Sequence, residues 1–323
     1  MKRISSLPLG KNWSMILRFL AINLMSMILS FPLTAKNKLV DREMLVPVHG
    51  TKLWCHVIGS GETIVIVHGG PGMEHTYFLP QLYSLALKYR LVFYDQRGSG
   101  RSPVEVDPAS MTMDQFVEDL DSIRSYFKLD KMNLMGHSFG GLIAMRYAVK
   151  YPEHLQRLIL MNPTPQSSYW RDSSLAMMKL RENPKIQAEK NEIVSSPEFA
   201  QKNPETMARF FRVLFKSSFF KEQYADSLTL VFRQNYPKTN ELMNALYSDS
   251  TLKNYDLRHE LKKVKCKTLL CGSEADFVPP EANEQLHKAL KNSEYYMFES
   301  CGHFPFVESK DEFEKVIGRF MSK

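Results

Sequence analysis

The strongest structural signal in the chain is the segment Met132-Asn133-Leu134-Met135-Gly136-His137-Ser138-Phe139-Gly140-Gly141. Its first four residues are a short, mostly apolar run, which is typical of a strand buried on both faces of a parallel sheet. The Gly136-x-Ser138-x-Gly140 pattern then predicts a sharp turn into a helix that continues to about Lys150. Such a turn holds the serine in a strained backbone conformation and lifts its hydroxyl above the edge of the sheet.

Short apolar runs and helical stretches alternate along the rest of the chain. Helices are predicted at about Met113–Phe127 and Asp311–Met321. The alternation predicts the α/β class, with a mostly parallel, doubly wound sheet. The predicted strands are Met44–Val48, Lys52–Ile58, Thr63–Val67, Leu91–Tyr94, Met132–Met135, Leu158–Met161, Lys267–Cys271 and Tyr295–Phe298.

The alternation stops between Pro163 and about His259. This stretch has helical periodicity, is rich in Met and Phe, and is broken by several prolines. We expect a helical cap domain at residues 163–259, inserted into a core domain made of residues 36–162 and 260–323. Most of the Met and Phe side chains are expected to pack the cap itself and its contact with the sheet.

The serine at the predicted turn needs two partners. A serine hydroxyl is a weak nucleophile unless a base takes its proton, and a carboxylate must orient that base. We expect His303 to be the base, because it follows a predicted strand and precedes the last helix. Asp276 follows the preceding predicted strand and is the expected carboxylate, with Glu274 as the alternative. The chain order Ser138, Asp276, His303 is the one that an α/β-hydrolase triad requires.

Acyl transfer also needs donors for the oxyanion that develops on the substrate. The main-chain N–H of Phe139 is one candidate, because it follows the nucleophile directly. The second candidate lies in the glycine-rich loop after the Thr63–Val67 strand, where we favour the Gly70 N–H over that of Gly69.

Three glycine-containing motifs follow one another along the chain: His68-Gly69-Gly70-Pro71-Gly72, Asp95-Gln96-Arg97-Gly98-Ser99-Gly100-Arg101-Ser102 and Gly136-His137-Ser138-Phe139-Gly140-Gly141. In this order they resemble the prolyl iminopeptidase family of α/β-hydrolases, and the resemblance covers roughly Leu45 to the C-terminus. It implies a serine aminopeptidase acting on short peptides or amino-acid amides, with a helical cap over the site. It also implies that the second motif is a structural loop that holds the floor of the site.

The chain differs from one branch of this family in the residues that would bind the substrate's amine. There, an acid directly after the triad aspartate helps a cap glutamate to hold the amine, whereas here Phe277 follows Asp276. Burying a cationic amine without a carboxylate is costly. Candidate cap acids are Glu192, Glu198 and Glu205, and we assign Glu205 and Phe277 to substrate binding. A carboxylic-ester hydrolase for small apolar acyl groups is the alternative function.

The first 35 residues read as a secretory signal peptide. They carry four basic and no acidic residues, followed by an apolar run from Phe19 to Phe31. This run is shorter than the roughly 20 apolar residues of a spanning helix. We therefore expect a secreted or periplasmic enzyme cleaved after Ala35, with no stable membrane partner. The alternative is a chain anchored by an uncleaved N-terminal segment.

Composition and charge exclude several other classes. The 323-residue chain is 44% hydrophobic and 24% charged, which is ordinary for a globular protein. Its net charge of +7 falls to +3 without residues 1–35, so the charge gives no support to nucleic-acid binding. The sequence has neither a metal-ligand cluster nor a dinucleotide fingerprint, so we expect no cofactor and a small-molecule or short-peptide substrate. The four cysteines form no C-x-x-C motif and are expected to be mostly small buried hydrophobes.

Overall fold

The computed structural model describes residues 39–323, so the predicted signal segment lies outside the described residues. Eight strands form one sheet in the order β1-β2-β4-β3-β5-β6-β7-β8. Neighbouring strands are parallel except where β2 meets β1 and β4. This confirms the mostly parallel sheet. The strands are β1 (Asp41–Val48), β2 (Thr51–Ile58), β3 (Thr63–Val67), β4 (Arg90–Tyr94), β5 (Met132–His137), β6 (Leu155–Met161), β7 (Lys267–Ser273) and β8 (Ser293–Phe298).

Helices connect the parallel strands and fill the long segment between β6 and β7. Helices outside that segment are α1 (Met113–Tyr126), α2 (Phe139–Lys150), α9 (Pro280–Ala289), α10 (Pro305–Glu308) and α11 (Lys310–Met321). Those inside it are α3 (Arg171–Leu180), α4 (Pro184–Val194), α5 (Pro197–Ala200), α6 (Pro204–Lys216), α7 (Tyr236–Ser248) and α8 (Ser250–Lys253). We call residues 163–259 the helical insert. Its standing as a separate cap domain stays a prediction.

The sheet is covered on both faces by apolar side chains. Alternate residues of β3 belong to two different core clusters: Ile64 and Ile66 to one, and Val65 and Val67 to the other. All four side chains are fully buried. Because successive side chains of a strand point to opposite faces, a continuous apolar run is what such a two-sided sheet requires.

The turn between β5 and α2 depends on close backbone packing. Ser138 has φ 54° and ψ −122°, a conformation that side-chain-bearing residues rarely adopt. A Cβ on Gly140 would lie only 2.3 Å from the carbonyl oxygen of Val67, and one on Gly136 only 2.5 Å from that of Gly140. Glycine at these positions therefore lets α2 start directly against the end of β3, with Ser138 at the carboxyl end of the sheet.

The Asp95–Ser102 loop is tied to the loop that follows β3. Asp95 is fully buried, and its Oδ1 accepts hydrogen bonds from the main-chain N of His75 at 3.0 Å and from His75 Nδ1 at 2.7 Å. Its Oδ2 accepts from the main-chain N of Arg101 at 2.9 Å. These bonds join two loops at the carboxyl end of the sheet, in keeping with the structural role that the resemblance implies for this motif.

A buried ion pair holds the same loop to helix α1. Arg97 donates from Nε to Asp119 Oδ2 at 2.9 Å and from Nη2 to Asp119 Oδ1 at 2.6 Å. Arg97 Nη2 also donates to the carbonyl oxygen of His49 at 2.7 Å. Both side chains of the pair are 2% exposed. Removing one partner would therefore leave the other charge buried without compensation.

We predict that Asp119→Asn lowers the free energy of unfolding by about 3–5 kcal/mol, because it leaves the buried Arg97 guanidinium without its counter-charge. Urea denaturation measures this loss. Lys150→Gln is the matched control, since it breaks the much more exposed pair of Lys150 with Glu118. That control should cost less than about 1 kcal/mol. Equally small losses in both variants would contradict the structural importance of the Arg97–Asp119 pair.

Candidate active site

Asp276 and His303 meet at the carboxyl ends of neighbouring strands β7 and β8. His303 Nδ1 lies 2.8 Å from Asp276 Oδ1, and both side chains are almost completely buried. Because the carboxylate can only accept, Nδ1 carries the proton in this pair and Nε2 is left free to act as a base. The alternative carboxylate, Glu274, is exposed and accepts from the main-chain N of Ser300 at 2.7 Å.

Two further donors hold the Asp276 carboxylate. The main-chain N of Phe277 donates to Oδ1 at 2.7 Å, and Asn162 Nδ2 donates to Oδ2 at 2.8 Å. With His303, these donors satisfy a carboxylate that water does not reach. Asn162 is not among the site residues predicted from the sequence. Its position directly after β6, the strand next to β7 in the sheet, could have indicated that it lies near Asp276.

Ser138 lies half-buried at the start of α2. The residue before it contacts the expected base: the rings of His137 and His303 have centroids 4.8 Å apart. A Cβ on Gly69 would lie 2.9 Å from the Ser138 Cβ, so the loop after β3 also touches the serine. Within residues 39–323 no hydrogen bond joins the Ser138 hydroxyl to His303. Such bonds are often long until substrate binds.

A buried chain of hydrogen bonds links the loop after β3 to the main chain of His303. The Gly69 N–H donates to the Tyr77 hydroxyl oxygen at 2.6 Å, and this hydroxyl lies 2.8 Å from His137 Nδ1. His137 Nε2 then lies 2.9 Å from the carbonyl oxygen of His303 and donates to it. Burial lowers the pKa of His137 well below its usual value, which keeps its Nδ1 an acceptor.

Of the two expected oxyanion donors, Phe139 directly follows Ser138, and Gly70 follows Gly69, which contacts the serine. The Phe139 N–H is at the first position of α2, where no intrahelical acceptor exists. Gly69 is buried and its N–H is already used by Tyr77, whereas Gly70 is exposed with φ 125°. Among the hydrogen bonds of the described residues, none uses the Gly70 N–H. These contacts favour Gly70 over Gly69.

Two cavities adjoin this arrangement, of about 140 Å³ and about 420 Å³. Phe277 lines the smaller one, and its ring centroid lies 4.3 Å from that of His303. Phe139 and Pro71 line the larger one. Glu205 is exposed in the first turn of α6 and lines neither cavity, so its assignment to substrate binding stays a prediction.

Residues 39–323 offer no sign of a metal site or a membrane-spanning helix. No group of three or more His, Cys, Asp or Glu side chains in this range is placed to hold a metal ion. No helix there combines the length and the apolar character needed to cross a bilayer. Cys55, Cys266, Cys271 and Cys301 are all free thiols, and burial raises the pKa of each.

His68 is a buried histidine whose surroundings keep its imidazole neutral. Its Nδ1 lies 2.7 Å from the Gly69 carbonyl oxygen and donates to it, while its Nε2 accepts from the main-chain N of Gln96 at 3.0 Å. Burial lowers the pKa of His68 to about 4. In the unfolded chain the value returns to about 6.5. Protonation therefore favours the unfolded chain, and stability is lost as the pH falls from about 6.5 towards 4.

We predict that the free energy of unfolding is about 2 kcal/mol lower at pH 5 than at pH 7 through His68 alone. Urea denaturation at both pH values measures this difference. His68→Gln, which cannot take up the proton, should reduce it, whereas His259→Gln at an exposed position should not. An unfolding free energy that is unchanged or higher at pH 5 in the wild type would show that His68 is not held neutral.

Known proteins resemble this chain in sequence and in fold. Residues 62–310 match the family model of the α/β hydrolase fold. A proline iminopeptidase of Saccharolobus solfataricus is 30% identical over 83% of this chain and 87% of its own length. One of Heyndrickxia coagulans is 28% identical over 82% and 92%. The structure of an α/β fold family hydrolase from Bacillus anthracis superposes with a TM-score of 0.69 at 19% identity, over 88% of this chain and all of that one. This chain belongs to the proline iminopeptidase family of α/β hydrolases.

Proposed function

We propose that this hydrolase works through an acyl-enzyme intermediate on Ser138. His303 Nε2 takes the hydroxyl proton while Ser138 Oγ bonds to the substrate's carbonyl carbon, and Asp276 holds the opposite side of the imidazole. The N–H groups of Gly70 and Phe139 receive the developing oxyanion. His303 passes the proton to the leaving group as the scissile bond breaks, and a water then releases the acyl group by the same route. The observation that carries this proposal is the buried Asp276–His303 hydrogen bond beside the strained Ser138 turn.

The relatives support an aminopeptidase of the prolyl iminopeptidase type. Curated proteins of that name match this chain over most of its length. In this reaction the N-terminal residue of a short peptide or amide becomes the acyl group on Ser138, and the remaining amine leaves. The scissile carbonyl would then lie at the Gly70 and Phe139 N–H groups, with its two sides directed into the cavities described above.

A carboxylic-ester hydrolase is the second candidate. Phe277 stands directly after Asp276 and lines the smaller cavity, and no carboxylate among the described residues lines either cavity. A cationic N-terminal amine would enter these cavities without a counter-charge. An ester with a small apolar acyl group would meet no such cost.

The two candidates are separated by their leaving groups. We predict that the purified protein hydrolyses prolyl-p-nitroanilide and alanyl-p-nitroanilide, and that Ser138→Ala lowers kcat by about 10⁴- to 10⁶-fold. Ser122→Ala, on helix α1, is the matched control and should keep wild-type rates. Turnover of p-nitrophenyl butyrate without turnover of either anilide would favour the esterase. Unchanged activity in a folded Ser138→Ala protein would rule out the acyl-Ser138 intermediate.

We also propose that residues 1–35 direct export and are removed after Ala35. The proposal rests on the basic start, the short apolar run and the small residue at the end of this segment. Mass spectrometry of the chain isolated from its producing cell should find Lys36 as the N-terminal residue, in the periplasmic or extracellular fraction. A retained N-terminus in the membrane fraction would favour the anchored form, and one in the cytoplasm would contradict export.

A further inference from the structure

Arg171 stands on the wall that the two cavities share. It is the first residue of α3, and its Nη2 donates to the carbonyl oxygens of Leu252 at 3.0 Å and Lys253 at 2.9 Å. Arg171 is exposed, and these two bonds from Nη2 to the end of α8 restrict where its guanidinium lies. Among the described residues no carboxylate pairs with Arg171, and its Nε and Nη1 make no hydrogen bond. A guanidinium restricted in this way, with free donors, is prepared to bind an anion.

The cavities place this guanidinium near the reacting groups. Phe139, the residue after Ser138, lines the larger cavity with Arg171. Phe277, which packs on the His303 ring, lines the smaller cavity with Arg171. Thr164 lines both, and its main-chain N donates to the carbonyl oxygen of Ser138 at 2.9 Å. A group bound at Arg171 would therefore belong to the same substrate that reacts at Ser138.

The charge on the cavity walls has one sign. Arg171 and Lys253 are the charged residues among the lining side chains in the described part of the chain, and neither cavity has an acidic one. Two cations without a counter-charge disfavour a cationic group and favour an anionic one. The planar fork of an arginine matches the two oxygens of a carboxylate.

We propose that Arg171, assisted by Lys253, binds a carboxylate group of the substrate beside Ser138. This inference rests on the proposed function, because it names the substrate class of the same site. For a peptide substrate, the carboxylate is the free C-terminus of a dipeptide, one residue beyond the scissile bond. For an ester substrate, it is the second carboxylate of a dicarboxylic monoester. Both sources share the same chemistry and are distinguished by separate probes.

Binding to the Ser138→Ala protein tests the inference without turnover. Two probe pairs are titrated by calorimetry: prolyl-alanine against prolyl-alaninamide, and monomethyl succinate against dimethyl succinate. We expect the acid of at least one pair to bind more tightly than the partner that lacks its carboxylate. Adding Arg171→Gln should weaken that acid about tenfold to a hundredfold and leave the affinity of the partner without the carboxylate unchanged. The pair that responds identifies the source of the carboxylate.

Arg209→Gln is the matched control, because Arg209 is an exposed arginine of the helical insert that lines neither cavity. It should leave all four affinities unchanged. The inference is overturned if neither acid binds more tightly than the partner that lacks its carboxylate, or if Arg171→Gln does not weaken binding of the acid selectively. Turnover of prolyl-p-nitroanilide, which has no carboxylate, tests the proposed function separately. Its failure would remove the aminopeptidase assignment and leave the binding result standing.

Discussion

The packing of helix α2 against the end of strand β3 is the constraint on which the rest of the site depends. Gly140 brings the helix so close that a side chain there would overlap the carbonyl oxygens of Val67 and His68. This contact forces the turn at Ser138 into its positive-φ conformation. It also sets the serine among the loops that follow β3, β6, β7 and β8, since parallel strands direct their carboxyl ends to one edge.

Buried polar contacts then fix the groups around the serine. Asp276 is held by Asn162 and by the main chain, and it orients His303. Tyr77 and His137 connect the loop that follows β3 to the main chain of His303. These hydrogen bonds hold the side chains of Asp276, Tyr77 and His137 in place inside the protein. The groups next to Ser138 are therefore positioned by hydrogen bonds within the protein itself.

The fold was largely predictable from the sequence because its signals are local. The continuous apolar run at Thr63–Val67 and the glycine pattern around Ser138 depend on neighbouring residues. Contacts between distant residues were not predictable in the same way: Asn162 reaches Asp276, and Tyr77 reaches His137, only after the sheet has formed. Helix α9 was missed for another reason. Only a few of its side chains, such as Ala282 and Leu286, are apolar and buried, which gives a weak helical pattern.

The contacts that shape the substrate pocket were also not predictable from the sequence. The sequence favoured Gly70 over Gly69, but the hydrogen bond from the Gly69 N–H to Tyr77 that supports this choice was not predictable from it. The position of Arg171 depends on carbonyl oxygens some 80 residues further along the chain. The proposed role of Ser138 as a nucleophile activated by His303 and Asp276 can be tested by reaction with a fluorophosphonate probe followed by peptide mapping with mass spectrometry. We predict one adduct, on Ser138, which forms far more slowly in Asp276→Asn. An adduct on another residue, or no adduct in the folded wild type, would contradict this role.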